Sequence, residues 1–226
     1  RLSYEREPNF FHAQEAEGDR TVAIVARDPH MDGVVAMGCR SVHAACLNGR
    51  PRRLGYLGQL RLGPGHRGIG AIVRRGFPLI CRHHEPEELS YDLTALVDGN
   101  LPSRRLLTVG LPRMPRYVFQ EPWMTLAIPA RTGGRLPEDV RIEPGTPGDM
   151  PLIADCLDRN ARRRQFARLW PGPTLRLLAD RFNLRPGDFL LARREGDVVG
   201  CLALWDQRPF RQHVVRGYGR GLSLLR

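Results

Sequence analysis

The sequence predicts an α+β protein of the broad α/β type, with a mixed, mostly antiparallel sheet and flanking helices. Three observations predict it. Residues 21–62 alternate apolar, β-branched runs with tight-turn signals. A glycine-rich loop at 63–70 leads into apolar residues at helical spacing. Two helical stretches after residue 149 are followed by a second hairpin pattern at 188–205.

The elements follow in order. Thr21 to Arg27 (TVAIVAR) reads as a strand, and Asp28 to Gly33 as a turn by composition. Val34 to Cys46 reads as a long strand. Asn48-Gly49 then signals a hairpin, because both central positions of that turn need positive φ. Arg52 to Leu62 is the partner strand, which completes a three-stranded meander. Beyond the loop, Ile69, Ile72, Val73, Phe77 and Ile80 share one helical face. Gly76 and Pro78 predict a kink or an early stop there. Leu89 to Val97 is a further strand. Asp98-Gly99-Asn100 is a turn, Pro102 suits a first helical turn, and Gly110 suits a helix stop. Tyr117 to Ile128 reads as a last strand of this half.

Residues 131–140 (RTGGRLPEDV) carry no apolar period and read as a linker. The expected domains are therefore 1–130 and 141–226. In the second, Asp149 is a candidate N-cap for a helix through Asn160. A helix follows near Thr174 to Phe182, then a hairpin around Glu195-Gly196-Asp197. GVVAMGC at 33–39 and DVVGCLALW at 197–205 form a weak echo at equivalent places. The chain starts without Met and is expected to belong to a longer protein.

Composition excludes several classes. No apolar run approaches the roughly 18 residues of a membrane span, and Arg1 to Phe11 does not resemble a signal sequence. The net charge is +11, and all 35 Lys-plus-Arg positions are arginine. Schiff-base and P-loop lysine mechanisms are thereby excluded. A basic surface attracts phosphates. Apart from Arg162 to Arg164 the arginines are dispersed along the sequence, which weighs against a dedicated nucleic-acid tail. The five cysteines, at 39, 46, 81, 156 and 201, include no CxxC and read as reduced thiols of a cytoplasmic chain. Cys39, His43, Cys46, Cys81, His83 and His84 read as packing and surface residues rather than zinc ligands.

A glycine-rich loop between a strand and a helix N-terminus is a phosphate-binding device, since backbone N–H groups and the helix dipole converge on one anion. Gly63-Pro64-Gly65-His66-Arg67-Gly68 matches the dinucleotide fingerprint in letters only, because antiparallel strands precede it. The stretch from Leu54 to Gly70 resembles the core motif of the GNAT superfamily of acyl-CoA N-acyltransferases. In that family a strand runs into an Arg/Gln-x-x-Gly-x-Gly/Ala loop and then a helix. Arg67 and Gly70 match the first and fourth positions, and Ile72 departs from the sixth. Asn100 matches an asparagine that commonly faces coenzyme A. The resemblance covers residues 20–128, and residues 141–226 resemble the opening of a second, tandem repeat.

The resemblance implies acetyl-CoA as cofactor. The pyrophosphate is expected on the amides of Arg67, Gly68, Ile69, Gly70, Ala71 and Ile72, and His66, in the loop itself, is read either as a phosphate partner or as an exposed loop residue. The pantetheine is expected between splayed strands, with an oxyanion-type amide donor near Leu60, Arg61 or Leu62. The family's usual acid tyrosine falls at Leu107. Tyr56 and Tyr91 are the nearest phenols on the flanking strands, and Gln59 and Arg61 stand where a carboxylate base is common. The leading expectation is an N-acetyltransferase acting on a small-molecule or peptide amine, with homodimerisation possible. The alternatives are a catalytically weak acyl-CoA-binding module and an Arg-rich nucleic-acid-binding protein.

Overall fold

The computed structural model describes residues 2–30, 33–63, 68–124 and 137–217. The strands are β1 (Leu2–Glu5), β2 (Arg20–Arg27), β3 (Val34–Leu47), β4 (Arg50–Leu62), β5 (Glu88–Leu93), β6 (Val140–Pro144), β7 (Phe189–Arg194), β8 (Asp197–Ala203) and β9 (Gln212–Val215). The helices are α1 (Phe10–Glu15), α2 (Ile69–Cys81), α3 (Leu101–Thr108), α4 (Met150–Ala161) and α5 (Gly172–Phe182). The mixed, mostly antiparallel α+β class is observed: β4 and β5 are a parallel pair, while β2–β3, β6–β7–β8 and β1–β9 are antiparallel.

The chain divides into two compact units. One comprises Arg20–Val42 and Arg53–Arg135. The other is composite: Arg1–Asp19, His43–Arg52 and Leu136–Arg226. The expected boundary at 131–140 therefore separates only part of the chain, because residues 1–19 and the tip of the β3–β4 hairpin group with the C-terminal half. Residues 131–136 of the expected linker lie outside the described residues.

The four-stranded unit carries a sheet in the order β2-β3-β4-β5. Its meander matches the sequence reading, and Asn48 and Gly49 take φ of 51° and 73° as their turn requires. Helix α2 packs on β2 and buries Val73 and Ile80. It runs through Gly76 and Pro78 without the expected stop. Pro78 lies in its last turn, so little of the hydrogen-bond ladder is lost. Strand β5 ends at Leu93 rather than Val97, and there the Thr94 hydroxyl donates to the Leu57 carbonyl at 2.8 Å. The expected strand from Tyr117 is absent over Tyr117–Met124, and Thr125–Ile128 lies outside the described residues. Pro115 and Pro122 lack the amides a ladder needs, and Val118, Phe119, Trp123 and Met124 are exposed.

A buried charge network crosses this sheet. Arg40 on β3 is 2% exposed. It donates to both Asp92 carboxylate oxygens at 2.7–3.1 Å and pairs with Glu88 at 2.7 Å. Arg20 on β2 also pairs with Glu88, and it donates to the His83 carbonyl at 2.7 Å. Burial opposes the Arg40 charge, but Asp92 and Glu88 outweigh it and hold the guanidinium above its ordinary pKa. Burial likewise opposes the Glu88 charge, and Arg40 and Arg20 outweigh it, so its pKa is lowered. Strand β4 lies between β3 and β5, and the bridge passes over Gly55. A Cβ there would lie 1.9 Å from Asp92 Oδ1 and 2.5 Å from an Arg40 terminal nitrogen.

In the composite unit, Ile153, Leu175, Leu178, Phe182, Leu191 and Phe210 form the centre of one core. Its hairpin turn matches expectation, with Glu195 and Gly196 at φ of 52° and 92°. Asp149 precedes α4 as expected, but its carboxylate accepts from the Thr146 amide and hydroxyl in a capping box instead of from the first turn of α4. The hairpin tip is docked by Cys46, which donates to the Ala167 carbonyl at 2.9 Å and packs with Ala161 and Leu169. His43 lies beside Arg168. Burial, reinforced by that charge, pushes its pKa down to about 4, so it is neutral at physiological pH.

Replacing Gly55 with alanine should destabilise the protein by about 3–5 kcal/mol, because the added methyl forces apart a buried ion pair. Urea unfolding measures this. A loss below about 1 kcal/mol would mean that the network yields without cost.

Candidate functional site

The site residues lie along β4, its exit and the start of α2. Gly55 and Asp92 pair in register, and a Gly55 Cβ would point at Asp92, so both share one sheet face. Tyr56, next to Gly55 in β4, therefore lies on the opposite face, while Tyr91 falls where the β4–β5 register shifts, so alternation does not assign its face. They are 37% and 43% exposed. The two expected phenols thus stand on adjacent strands of the sheet. Gly58 leaves room beside the Tyr56 ring, since a Cβ there would sit 3.3 Å from it.

Parallel pairing of β4 with β5 runs from Arg53↔Glu88 to Tyr56↔Leu93. Strand β4 continues to Leu62, well past the end of β5. Within that extension Gln59 has φ of 57°. A positive φ at a non-glycine residue breaks the strand's alternation and re-aims the following backbone. Leu60 and Arg61 are exposed there, and Leu62 is half-buried. A strand that outruns its partner and twists at one residue leaves backbone accessible beside the sheet.

The start of α2 carries no negative charge of its own. Gly68 is the N-cap of α2 at φ 80°, with no side-chain cap and no acidic residue in the first turn. The amides of Ala71 and Ile72 donate to the Gly68 carbonyl at 2.9 and 3.3 Å. These two expected anion donors are thus engaged in the helix's own turn. His66 and Arg67 lie outside the described residues. Asn100 is exposed and caps α3, where its side chain accepts from the Ser103 amide at 3.3 Å. Leu107, at the family's tyrosine position, is buried.

Two features escaped the sequence reading. A cavity of about 220 Å³ is lined by Ala71, Arg74, Arg75, Pro112 and Arg113. Three arginines line it, Arg74 and Arg75 from the second turn of α2 and Arg113 from beyond α3, and in the sequence only the i to i+4 relation of Ala71 to Arg75 marks it. Tyr117 is the second. Burial, then the neighbouring Asp92 charge, raises its pKa to about 12, and its ring meets Phe77 edge-on at 6.4 Å.

No protein-family model, curated protein or solved structure matches this chain. Among the described residues no group of His, Cys, Asp and Glu side chains could hold a metal ion. No described helix is long and apolar enough to cross a membrane.

A methyl at Gly68 would force an L-residue into the left-handed region, while one at Gly70 would meet only Leu106 and Leu111 at ordinary contact distance. Gly68→Ala should therefore lower stability by about 1–2 kcal/mol, and Gly70→Ala should change it by less than about 0.5 kcal/mol. Thermal and urea unfolding of the two variants check the contrast.

Proposed function

We propose that this chain is an acyl-CoA-dependent N-acyltransferase with a GNAT-like fold, acetylating an amine. One observation carries the reading: a parallel β4–β5 pair whose longer strand twists at Gln59 and leads to a glycine-started, uncapped helix. The order β2-β3-β4-α2-β5-α3 supports it. So does the arginine-lined cavity at α2, because guanidiniums fit phosphate groups bidentately. The order β6-α4-α5-β7-β8 is consistent with the opening of a second such repeat.

The residues present fit coenzyme A at the points described. Gly68, Ile69 and Gly70 would hold phosphate through backbone, with Arg74, Arg75 and Arg113 supplying countercharge. Bound acyl-CoA would supply an activated thioester. The backbone of Leu60, Arg61 and Leu62 would orient the acyl carbonyl. Tyr56 and Tyr91, on adjacent strands, would offer hydroxyl protons, and Gln59 can position a water or an amine by hydrogen bonding. No carboxylate base stands on β4, so deprotonation of the amine is left to solvent.

A second reading is a binding module with weak catalysis. Buried Leu107 favours it, because no phenol projects from α3 at that position.

The test is acetyl-CoA mixed with a panel of primary amines, with free thiol release followed by a thiol-reactive dye and coenzyme A affinity by calorimetry. The proposal expects amine-dependent release. It also expects affinity to fall about tenfold in Arg74→Gln/Arg75→Gln, equivalent to 1.4 kcal/mol. Binding without release would favour the second reading, and absence of binding would overturn both.

A further inference from the structure

The composite unit carries an arginine cluster that the sequence scatters over more than a hundred positions. Helix α4 ends in Arg162, Arg163 and Arg164, whose amides close the last turns on the carbonyls of Asp158, Asn160 and Ala161. The hairpin tip is bonded to the residues on either side of Arg163 and Arg164. Arg162 donates to the Gly49 carbonyl at 3.1 Å, and Asn48 and Gln165 exchange two hydrogen bonds at 3.0 Å. Arg50 and Arg52 follow that turn directly, two apart on the same side of β4. All five arginines are exposed. Arg162 is neutralised by Asp158 at 2.6 Å, and the nearby Arg159 by Asp155 at 3.0 Å. Arg50, Arg52, Arg163 and Arg164 make no ion pair among the described residues.

We infer that this cluster is a docking surface for the phosphate backbone of nucleic acid. Four guanidiniums without carboxylate partners, held by a docked turn and a helix end, keep their charge for an external anion. Guanidinium forks match phosphate oxygens. A polymer charged at every residue neutralises several of them at once and gains from counterion release. None of the exposed large apolar residues falls within 43–52 or 158–170, so the surface has nothing to insert into a bilayer. Among the described residues no exposed aromatic falls within these segments, so the contact is to backbone and without sequence readout. The inference is independent of the acyltransferase reading.

The test is fluorescence anisotropy of the full chain with labelled duplex DNA and single-stranded RNA of mixed sequence, over 50–200 mM salt. Two double variants, Arg50→Gln/Arg52→Gln and Arg163→Gln/Arg164→Gln, are compared with Arg141→Gln/Arg176→Gln. The last pair removes the same charge from exposed positions elsewhere on this unit. The inference expects each cluster pair to reduce the magnitude of the log–log salt slope on duplex DNA by about 2, near 0.9 per lost contact, and the control pair to reduce it by much less. It is overturned if the control pair weakens binding equally, if no binding occurs at 50 mM salt, or if phosphatidylserine vesicles or polyglutamate bind at least as tightly as nucleic acid.

Discussion

The bridge from Arg40 to Asp92 across Gly55 is the constraint on which the four-stranded unit depends. A parallel pair such as β4–β5 lacks a tight turn to set its register. Here the register is pinned by charge: Arg40 on β3 reaches over the middle strand to Asp92 and Glu88 on β5. Only glycine at 55 leaves the path open. The same carboxylate, Glu88, is met by Arg20, which also holds the His83 carbonyl just past α2. One network therefore ties three strands and the end of a helix. Buried ion pairs contribute little net stability, since desolvation offsets attraction, but breaking one is costly. Their value here is in specifying one arrangement.

That arrangement sets what the opposite face presents. With Gly55 turned to one side, Tyr56 turns to the other, and Tyr91 stands on the neighbouring strand where the register shifts. Because β5 stops at Leu93, the rest of β4 has β3 but not β5 beside it, and the positive φ at Gln59 breaks its alternation. The candidate site is thus a consequence of strand length and register more than of any one catalytic side chain. This fits the absence of a carboxylate base on β4 and the burial of Leu107. Such a site would work mainly by holding and orienting reactants.

Local chemistry was legible in the sequence and long-range chemistry was not. Asn48-Gly49 announces its turn because Asn and Gly tolerate positive φ, and Gly196 marks the second hairpin in the same way, whereas Glu195 takes its positive φ from the turn around it. Asn100 with Pro102 announces α3 for the same reason: cap and first turn are decided within a few residues. The grouping of residues 1–19 with the C-terminal half depends instead on β1 pairing with β9 across nearly the whole chain, and no short window records that. Asp92, Arg40 and Arg20 look like ordinary surface charges until the sheet stacks them. Arginine dispersal along the sequence likewise says nothing about proximity once a hairpin tip docks beside the end of α4. Tyr117 read as strand because its apolar neighbours suit one, yet the prolines on either side deny the segment a ladder.

Amide hydrogen exchange with and without coenzyme A probes the central claim most directly. The account predicts that the ligand slows exchange at Gly58–Leu62 and Gly68–Gly70 and leaves the β6–β7–β8 sheet unchanged. Unaltered exchange in both segments at saturating ligand, or protection confined to the composite unit, would contradict it.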